Sequence, residues 1–427
     1  MLFKAPRGTA DILPADQPQW RQLADTARKT AEQFGYRRID TPTFENTHLF
    51  ERSVGEETDV VQKEMYTFED HGGDLLTLRP EGTASVCRAY LQHGMHNLPQ
   101  PVRLHYLSRM YRYERPQAGR FRQHHQFGVE AIGDPAPQVD AEVIELGWRY
   151  LSQLGVSGLT IKLNTIGDAN CRPYYLETLL DYYRGKVKDM CADCKYRMTR
   201  NPLRLLDCKN DACTSFATEA PAVVDHLCSE CRDHWTEVRA LVENLKVHYP
   251  TLTIMYDHRL VRGLDYYNRT VFEIHPPEHG AQSSILSGGR YDGLIEHLGG
   301  KQTPGVGFGS GVERALMNVQ HQRIEPPPTK SVKLVLISHG DKSRFQLLSL
   351  AIALRKSGES AIVAPAGRSV KSQMRFANAI GARFALILGE KELEQEVLLV
   401  KPLDGSGEQR QVPLNSGSVQ KAVGSSA

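Results

Sequence analysis

The sequence predicts a protein with a large unit of mixed helices and strands, an inserted helical domain and a small C-terminal α/β domain. Strand and helix patterns run to about residue 170, and strand patterns resume near residue 252. The stretch between them is rich in cysteine. After a run of prolines, apolar strands alternate with helical segments, which predicts a mostly parallel sheet. The length of 427 residues allows two to four domains of roughly 150 residues each.

The N-terminal elements are predicted from periodicity and from the residues that interrupt it. A helix is predicted from Trp20 to Phe34, where Gly35 ends it. Tyr36 to Pro42 is predicted as a strand that bends at the proline. The remaining predictions in this region are strands over Leu75–Leu78, Val102–Arg112 and Leu159–Ile166, and a helix over Gln138–Leu154.

The composition changes between about Cys171 and Lys246, where cysteines accumulate and helical stretches become shorter. We therefore interpret residues 171–249 as an insertion into a domain formed by residues 1–170 and 250–325. The second part of that domain is predicted to contain strands at Leu252–Tyr256, Thr270–His275 and Ser283–Ser287.

A proline-rich segment, Glu325–Thr329, predicts a linker at residues 326–330, because consecutive prolines exclude helix and stiffen the chain. Residues 331–427 then form the predicted C-terminal domain. From Val332 to Gly389 nine Lys or Arg residues face two acids, which favours a surface that meets a polyanion, although a solvated basic face is the alternative. The predicted elements are strands Val332–Ile337, Ala361–Ala364 and Phe384–Leu388 and helices Lys342–Ser357 and Ser369–Ile380.

Composition disfavours a membrane or secreted protein. No apolar run approaches the roughly 18 residues that span a bilayer, and the N-terminus lacks the apolar stretch of a secretory signal. We therefore expect a soluble, cytoplasmic protein with no membrane partner. The overall net charge of +2 by itself indicates nothing about a nucleic-acid partner.

The densest chemistry-bearing segment is RLHYLSRMYRYERPQAGRFRQHHQFGVE, residues 103–130. It contains arginines at 103, 109, 112, 115, 120 and 122, with Glu114 as the one acid among them. Pro116 and Gly119 predict a loop between two strands. Arginine clamps phosphate in a bidentate manner, so this hairpin favours a nucleoside triphosphate. A basic surface hairpin is the alternative.

The glycine-rich segment Gly305-Val-Gly-Phe-Gly-Ser-Gly311 matches neither a dinucleotide fingerprint nor a phosphate-binding P-loop. Alternate glycines instead leave one face of a strand without side chains, so that a flat ligand could lie against the backbone. Arg314, at the start of the next predicted helix, would cover such a ligand. Close packing of the strand against a helix is the alternative.

Two loops combine tyrosines with charged residues: LVRGLDYYNRT at 260–270 and SGGRYDG at 287–293. Adjacent tyrosines beside an arginine and an aspartate can form a pocket with aromatic walls and polar tips. Each loop alone is more often a turn with a packed tyrosine.

Taken together with TPTFE, VGEETDVVQKEMYTFED, LRPEGT and GVGFGSGVERAL, these segments resemble histidyl-tRNA synthetases of class II over nearly the whole chain. The resemblance implies a catalytic domain with an antiparallel sheet flanked by helices and a C-terminal anticodon-binding domain. It also implies a homodimer, with the strand ending at Pro42 in its interface. The implied activity is histidine–tRNA ligase, with ATP, L-histidine and tRNA(His) as partners.

The resemblance also implies roles for individual residues. Arg112 and Arg262 would be catalytic and would flank the α-phosphate. ATP would further contact Glu114, Arg120 and Arg314, with His124 in a position where many members carry an aromatic residue that stacks on adenine. The histidine site would comprise Glu81, Gly82, Thr83, Arg112, Gln126, Glu130, Arg262, Tyr266, Tyr267 and Tyr291.

The implied chemistry fits these residue types. A histidine carboxylate attacking the α-phosphate needs no general base, and two fixed guanidiniums can stabilise the charge on the phosphate oxygens. Mg²⁺ would screen the remaining phosphates. Buried polar partners such as Glu130 and the tyrosines would select the imidazole.

The cysteines depart from the family pattern. Cys191, Cys194, Cys228 and Cys231 form two Cys-x-x-Cys pairs that predict a structural Zn²⁺ site, but Cys208 and Cys213 make six candidate ligands for four positions. Free thiols that only pack are the alternative.

Two other functions compete with the synthetase hypothesis. A catalytically silent paralogue could regulate a partner enzyme, but it would be expected to lack pocket residues that are present here. A zinc-ribbon RNA-binding module would explain the cysteines and the basic C-terminal region, but not the Arg-rich hairpin or the tyrosine loops.

Overall fold

The computed structural model describes residues 3–55, 58, 60–117, 119–277, 284–326, 333–405 and 407–424. The chain divides into two compact units, Met1–Pro327 and Pro328–Ala427. The predicted linker at 326–330 lies outside the described residues except for its first position. In the part of the chain that is described, no helix is both long enough and apolar enough to cross a membrane.

Both units contain helices and strands. Among the described residues, helices α1 to α14 span, in order, Gln17–Gln33, Thr47–Val54, Thr83–Gln92, Pro137–Gln153, Arg172–Arg184, Ala192–Arg200, Asp211–Glu219, Ser229–His248, Leu294–His297, Val312–His321, Asp341–Lys356, Val370–Ala379, Glu390–Glu394 and Ser416–Val423. Strands β1 to β16 span Arg37–Arg38, Phe44–Asn46, Tyr66–Glu69, Leu75–Leu78, Val102–Tyr111, Gln123–Ile132, Thr160–Thr165, Thr253–Tyr256, Asn268–His275, Leu286–Arg290, Gly305–Gly311, Leu334–Ser338, Ala361–Val363, Phe384–Leu388, Val397–Pro402 and Arg410–Pro413.

The first unit is organised around an eight-stranded sheet in the order β1-β5-β6-β11-β10-β9-β7-β8. The pairings from β5 to β7 are antiparallel, and the two edge pairings, β1 with β5 and β7 with β8, are parallel. The prediction of a sheet flanked by helices is confirmed, with the qualification that the sheet is mixed at its edges. A separate three-stranded sheet has the order β2-β4-β3.

The main core of this unit lies between the sheet and helices α1, α4, α8 and α10. Most residues of helix α4 are buried, because other elements cover it on several sides. It begins with Pro137 at its first position and ends before Gly155, which has a φ of +89°. The other face of the sheet supports the residues of the candidate active site.

Most predicted elements are present within a few residues. One difference lies in β10, where the loop predicted at 287–293 begins with a strand that continues to Arg290. Gly288 and Gly289 permit this, since a Cβ on Gly288 would lie 2.2 Å from the carbonyl oxygen of Gly307 on β11. The predicted strand from Tyr36 to Pro42 is reduced to Arg37–Arg38, which pairs with Leu104 and His105. Ser283, the first residue of another predicted strand, lies outside the described residues.

The second unit is a five-stranded sheet in the order β13-β12-β14-β15-β16. Strands β13, β12 and β14 are parallel, as predicted from the alternation of strands and helices, and β15 and β16 add an antiparallel edge. Helices α11 and α14 pack on one face and α12 on the other. This is a small three-layer α/β domain.

Candidate active site

A cavity of about 240 Å³ lies where the Arg-rich hairpin, the glycine strand β11 and the loop before β9 meet. It is bordered by most of the residues that the sequence predicts for the site. Those residues are Glu81, Thr83, Arg112, Glu114, Arg120, His124, Gln126, Arg262, Tyr266, Tyr267 and Arg314. Gly82, Glu130 and Tyr291 do not border the cavity and lie behind its wall.

Arg112 and Arg262, the two predicted catalytic residues, both border the cavity and are both held in place. Arg112 follows the last residue of β5, and its Nε donates to the carbonyl oxygen of Pro80 at 2.8 Å. Arg262 donates through Nη1 to Glu273 at 2.5 Å and through Nη2 to Ser287 at 2.7 Å. Although burial opposes the charge, the carboxylate of Glu273 raises the pKa of Arg262, so this guanidinium stays charged. The arrangement gives two fixed cations in one cavity.

The hairpin between β5 and β6 supplies the remaining cationic part of the cavity. Arg120 lies 3.1 Å from Glu114, and Arg314, on the first turn of α10, donates from Nε to the carbonyl oxygen of Gly119 at 3.0 Å. Arg314 also donates from Nη1 to the carbonyl oxygen of Ser284 at 2.9 Å. It therefore joins the hairpin loop to the segment before β10. Burial, together with the charges of Arg112 and Arg314, lowers the pKa of His124 to about 3, so its ring is neutral at pH 7.

The opposite end of the site contains a buried carboxyl group, Glu130 on β6. It accepts hydrogen bonds from Tyr291 Oη at 2.6 Å, from Thr83 Oγ1 at 2.8 Å and from Tyr106 Oη at 3.4 Å. Burial raises the pKa of Glu130 to about 8, although the hydrogen bonds from the three hydroxyl groups act to lower it. Three hydroxyls and one carboxyl form a closed polar network under the cavity floor.

Three of the four alternate glycines of β11 make room for this network. A Cβ on Gly305 would lie 2.3 Å from the ring of Tyr291, and one on Gly307 would lie 2.1 Å from Glu130 Oε2. A Cβ on Gly309 would lie 2.2 Å from Gln126 Nε2. The bare face of the strand is thus filled by pocket side chains, and only Gly309 and Gly311 of this strand border the cavity. A flat ligand along the whole strand does not explain the alternate glycines. Packing of the strand against a helix does not explain them either.

Tyr106 is a site residue that sequence reasoning missed. Its ring lies against Gly82 and Gly128, where an added Cβ would be within 2.3 Å of it. Tyr106 pairs with Gly128 across the β5–β6 ladder and shares strand parity with Arg112. This shared parity in the sequence could have predicted that Tyr106 faces the site.

Glu273 and Ser287 were also missed, although both hold Arg262. Glu273 is the one acid in β9 and lies between the apolar residues Phe272 and Ile274, which could have marked it as a partner for a nearby cation. Ser287 lies at the second residue of β10, and no sequence signal distinguishes it.

Glu81 caps the helix that carries Thr83. Its carboxylate accepts from the backbone N–H of Thr83 at 2.6 Å and of Ala84 at 2.8 Å. Burial raises the pKa of Glu81, while these N–H groups act to lower it. The cap fixes the start of α3 at the cavity edge.

The predicted zinc set is wrong in its grouping. The Sγ atoms of Cys191, Cys194, Cys208 and Cys213 lie within 4.8 Å of one another, whereas Cys228 and Cys231 belong to a second group with Asp168 and Cys171. The physical reason is that the Cys228-x-x-Cys231 pair begins α8, whose buried face packs into the main core, while the first group lies around α6 and α7. None of the eight cysteines, all of which lie within the described residues, forms a disulfide.

Comparison with known proteins gives a consistent result for both units. The family model described as Histidyl-tRNA synthetase matches residues 8–315, and the one described as Anticodon binding domain matches residues 333–418. A histidine–tRNA ligase of Dehalococcoides mccartyi is 50% identical over 97% of this chain and 98% of its own length. One of Desulfitobacterium hafniense is 45% identical over 97% of this chain and 96% of its own length.

The solved structures include a similar fold. The crystal structure of apo S. aureus histidyl-tRNA synthetase aligns with a TM-score of 0.80 and 35% identity. The alignment covers 97% of this chain and 98% of that one. Both units are therefore similar in sequence and structure to proteins of one family.

Proposed function

The chain belongs to the histidyl-tRNA synthetase family, and on that premise we propose that it is a histidine–tRNA ligase with its active site in the 240 Å³ cavity. It activates L-histidine with ATP and transfers the histidyl group to the 3′ end of tRNA(His). The observation that carries the proposal is one cavity bordered by four arginines at one end and backed by a buried hydroxyl–carboxyl network at the other.

The cationic end suits in-line attack on the α-phosphate. The histidine carboxylate forms a bond to phosphorus, the bond to the bridging oxygen breaks, and pyrophosphate leaves with that electron pair. Negative charge gathers on the α-phosphate oxygens, where Arg112 and Arg262 stabilise it without moving, since each is already hydrogen-bonded. No general base is needed because the attacking carboxylate is ionised.

ATP is placed by the hairpin. Arg120 receives the γ-phosphate, Glu114 faces the adenine, and Arg314 covers the base, with the neutral ring of His124 as a further stacking surface. Mg²⁺ bound with ATP would supply charge compensation for the phosphates. The carboxylate of Glu313 borders the cavity and would offer oxygen donors of the kind this ion prefers.

Selection of histidine rests on the buried network. Gln126, Tyr266 and Tyr267 border the side-chain pocket, Glu81 and Thr83 face the α-amino group, and the imidazole N–H lies toward Glu130. Oε1 of Gln126 is buried and has no hydrogen-bond partner in the described residues, so a donor on the substrate would satisfy it. Side chains without such a donor leave buried polar groups unpaired, which is costly.

The second unit, within residues 331–427, would bind the anticodon of the tRNA. Its basic residues would contact phosphates and position the RNA, while unstacked bases would be recognised at their edges. We place the reaction in the cytoplasm, where ATP and tRNA meet during protein synthesis.

We further propose a homodimer that uses the small β2-β4-β3 sheet. Two large apolar side chains on one face of this sheet, Phe44 and Phe68, are about half exposed in the single chain. The rings of Phe44 and Phe68 are 6.3 Å apart and form one patch. A contiguous apolar patch of this kind favours burial by a partner.

ATP–pyrophosphate exchange on purified protein with each of the twenty amino acids tests the activation step. Exchange with histidine alone is expected, followed by charging of tRNA(His). Histidine binding by calorimetry without exchange would instead favour the regulatory paralogue.

A further inference from the structure

Four cysteine sulfurs in the predicted insertion meet at one point. Cys191 caps the N-terminus of α6, Cys194 lies in its first turn, Cys208 precedes α7 and Cys213 lies within it. Their Sγ atoms all lie within 4.8 Å of one another, and those of Cys191 and Cys208 are 3.8 Å apart. Two of the four are buried and two are partly buried.

The spacing is that of a tetrahedral metal centre. Four sulfurs at about 2.3 Å from a zinc ion are about 3.8 Å from each other. Two backbone N–H groups also point at the sulfurs, from Cys194 to Cys191 Sγ at 3.4 Å and from Cys191 to Cys213 Sγ at 3.3 Å. Such donors stabilise thiolates, the form in which cysteine binds zinc.

We propose that Cys191, Cys194, Cys208 and Cys213 bind one structural Zn²⁺, and that this centre holds a basic loop, residues 204–210, against the substrate cavity. The second group is not proposed as a site. Its carboxylate, Asp168, is already paired with Arg269 at 3.2 Å.

The loop reaches the active site through a second cavity of about 620 Å³. Cys191 and Cys208 border it on one side, and Arg112, Arg120 and Arg262 border it on the other. Arg204 and Lys209 of the loop also border it.

The loop is attached to the proposed metal centre through Cys208 and to α6, which carries Cys194, through Arg204. Arg197 of α6 donates from Nη1 to the carbonyl oxygen of Arg204 at 3.1 Å. Arg204 in turn donates to Asp207 within the loop at 2.9 Å. Loss of the metal would release Cys208 from α6 and with it the position of Lys209.

Six cationic side chains and four carboxylates border this cavity, and the excess of positive charge favours phosphate groups. Two sources are available in the proposed reaction, the triphosphate of ATP and the backbone phosphates at the tRNA 3′ end. This part of the inference rests on the proposed function, whereas the metal site does not.

The metal site is tested by zinc analysis of the purified full chain and its variants. One zinc per chain is expected from this centre, with zinc-edge absorption showing four sulfurs at about 2.3 Å. Cys208→Ser and Cys213→Ser should lose that zinc, whereas Cys87→Ala, which removes a buried thiol outside both groups, should keep it. If a variant fails to fold, the zinc-edge absorption spectrum of the wild-type protein tests the metal site instead.

Unchanged zinc content in folded Cys208→Ser and Cys213→Ser would overturn the metal site. A zinc-free wild-type protein would overturn it as well, as would a disulfide between Cys191 and Cys208.

The role of the loop is tested with Lys209→Ala, which leaves all four sulfurs in place. A KM for ATP raised about tenfold or more in pyrophosphate exchange would assign the loop to the triphosphate. A KM raised only for tRNA in charging would assign it to the tRNA. If neither KM changes, the role of the loop is overturned. A wild-type protein that binds zinc but shows no exchange would reject the proposed function and leave the metal site standing.

Discussion

Replacing Arg262 by alanine tests the catalytic assignment most directly. The side chain provides one of the two fixed cations at the α-phosphate and is held by Glu273 and Ser287. Removing one preorganised donor to a developing oxyanion costs about 10²–10³ in kcat, or roughly 2.7–4 kcal/mol. We therefore expect Arg262→Ala to slow adenylate formation by that factor while histidine binding is largely retained.

The same change disturbs a partner, and the structure sets the size of that effect. Glu273 is only 17% exposed, so it loses a cation in a mostly buried position. It keeps a hydrogen bond with His275 at 2.9 Å, which limits the loss. We expect a stability cost of about 1–3 kcal/mol, the range for a buried group that loses one partner.

A matched variant separates the two effects. Arg262→Ala combined with Glu273→Gln removes the unpaired charge, so it should recover part of the stability and none of the rate. The assays are pyrophosphate exchange, histidine calorimetry and urea unfolding. An exchange rate within tenfold of wild type in a folded Arg262→Ala protein would refute the reasoning. Loss of the fold by circular dichroism in both variants would show that Arg262 is a structural residue.

Three further predictions concern the histidine end. Folding raises the pKa of Glu130 from an ordinary 4.5 to about 8. The free energy of unfolding of the wild type should therefore fall, relative to that of Glu130→Gln, as the pH rises from 4.5 to 8. The same pH dependence of the unfolding free energy in both proteins would contradict this. Gly307→Ala should abolish histidine-dependent exchange, since its Cβ would lie 2.1 Å from Glu130 Oε2. In the control variant Gly311→Ala the Cβ would lie 3.6 Å from the side chain of Arg314, so this protein should keep its fold by circular dichroism. Tyr291→Phe should raise the KM for histidine more than Tyr106→Phe, because their hydrogen bonds to Glu130 measure 2.6 and 3.4 Å; equal effects would contradict the network.

The elements near the site were largely predictable because their signals are local. Periodicity placed α4 within one residue at each end, and the alternate glycines correctly predicted β11 as a strand. The strand predicted to end at Ser287 continues to Arg290 in β10, because Gly288 and Gly289 were interpreted as part of a loop. Only the neighbouring strands show that these glycines meet a backbone at close range.

The sequence by itself determined the family, the α/β character of the second unit and the identity of most residues that border the cavity. These depend on residue type and spacing, which the chain carries directly. The grouping of the cysteines could not be determined in this way, because six thiols within one stretch allow several sets of four.

Only the tertiary structure decided which groups meet. It paired Arg262 with Glu273, placed Tyr106 under Glu130, and brought Cys208 and Cys213 rather than Cys228 and Cys231 to Cys191. It also buried Glu130, and this burial raises the pKa of its carboxyl to about 8. Contact and desolvation both arise from packing between segments far apart in the chain, and no local pattern encodes that packing.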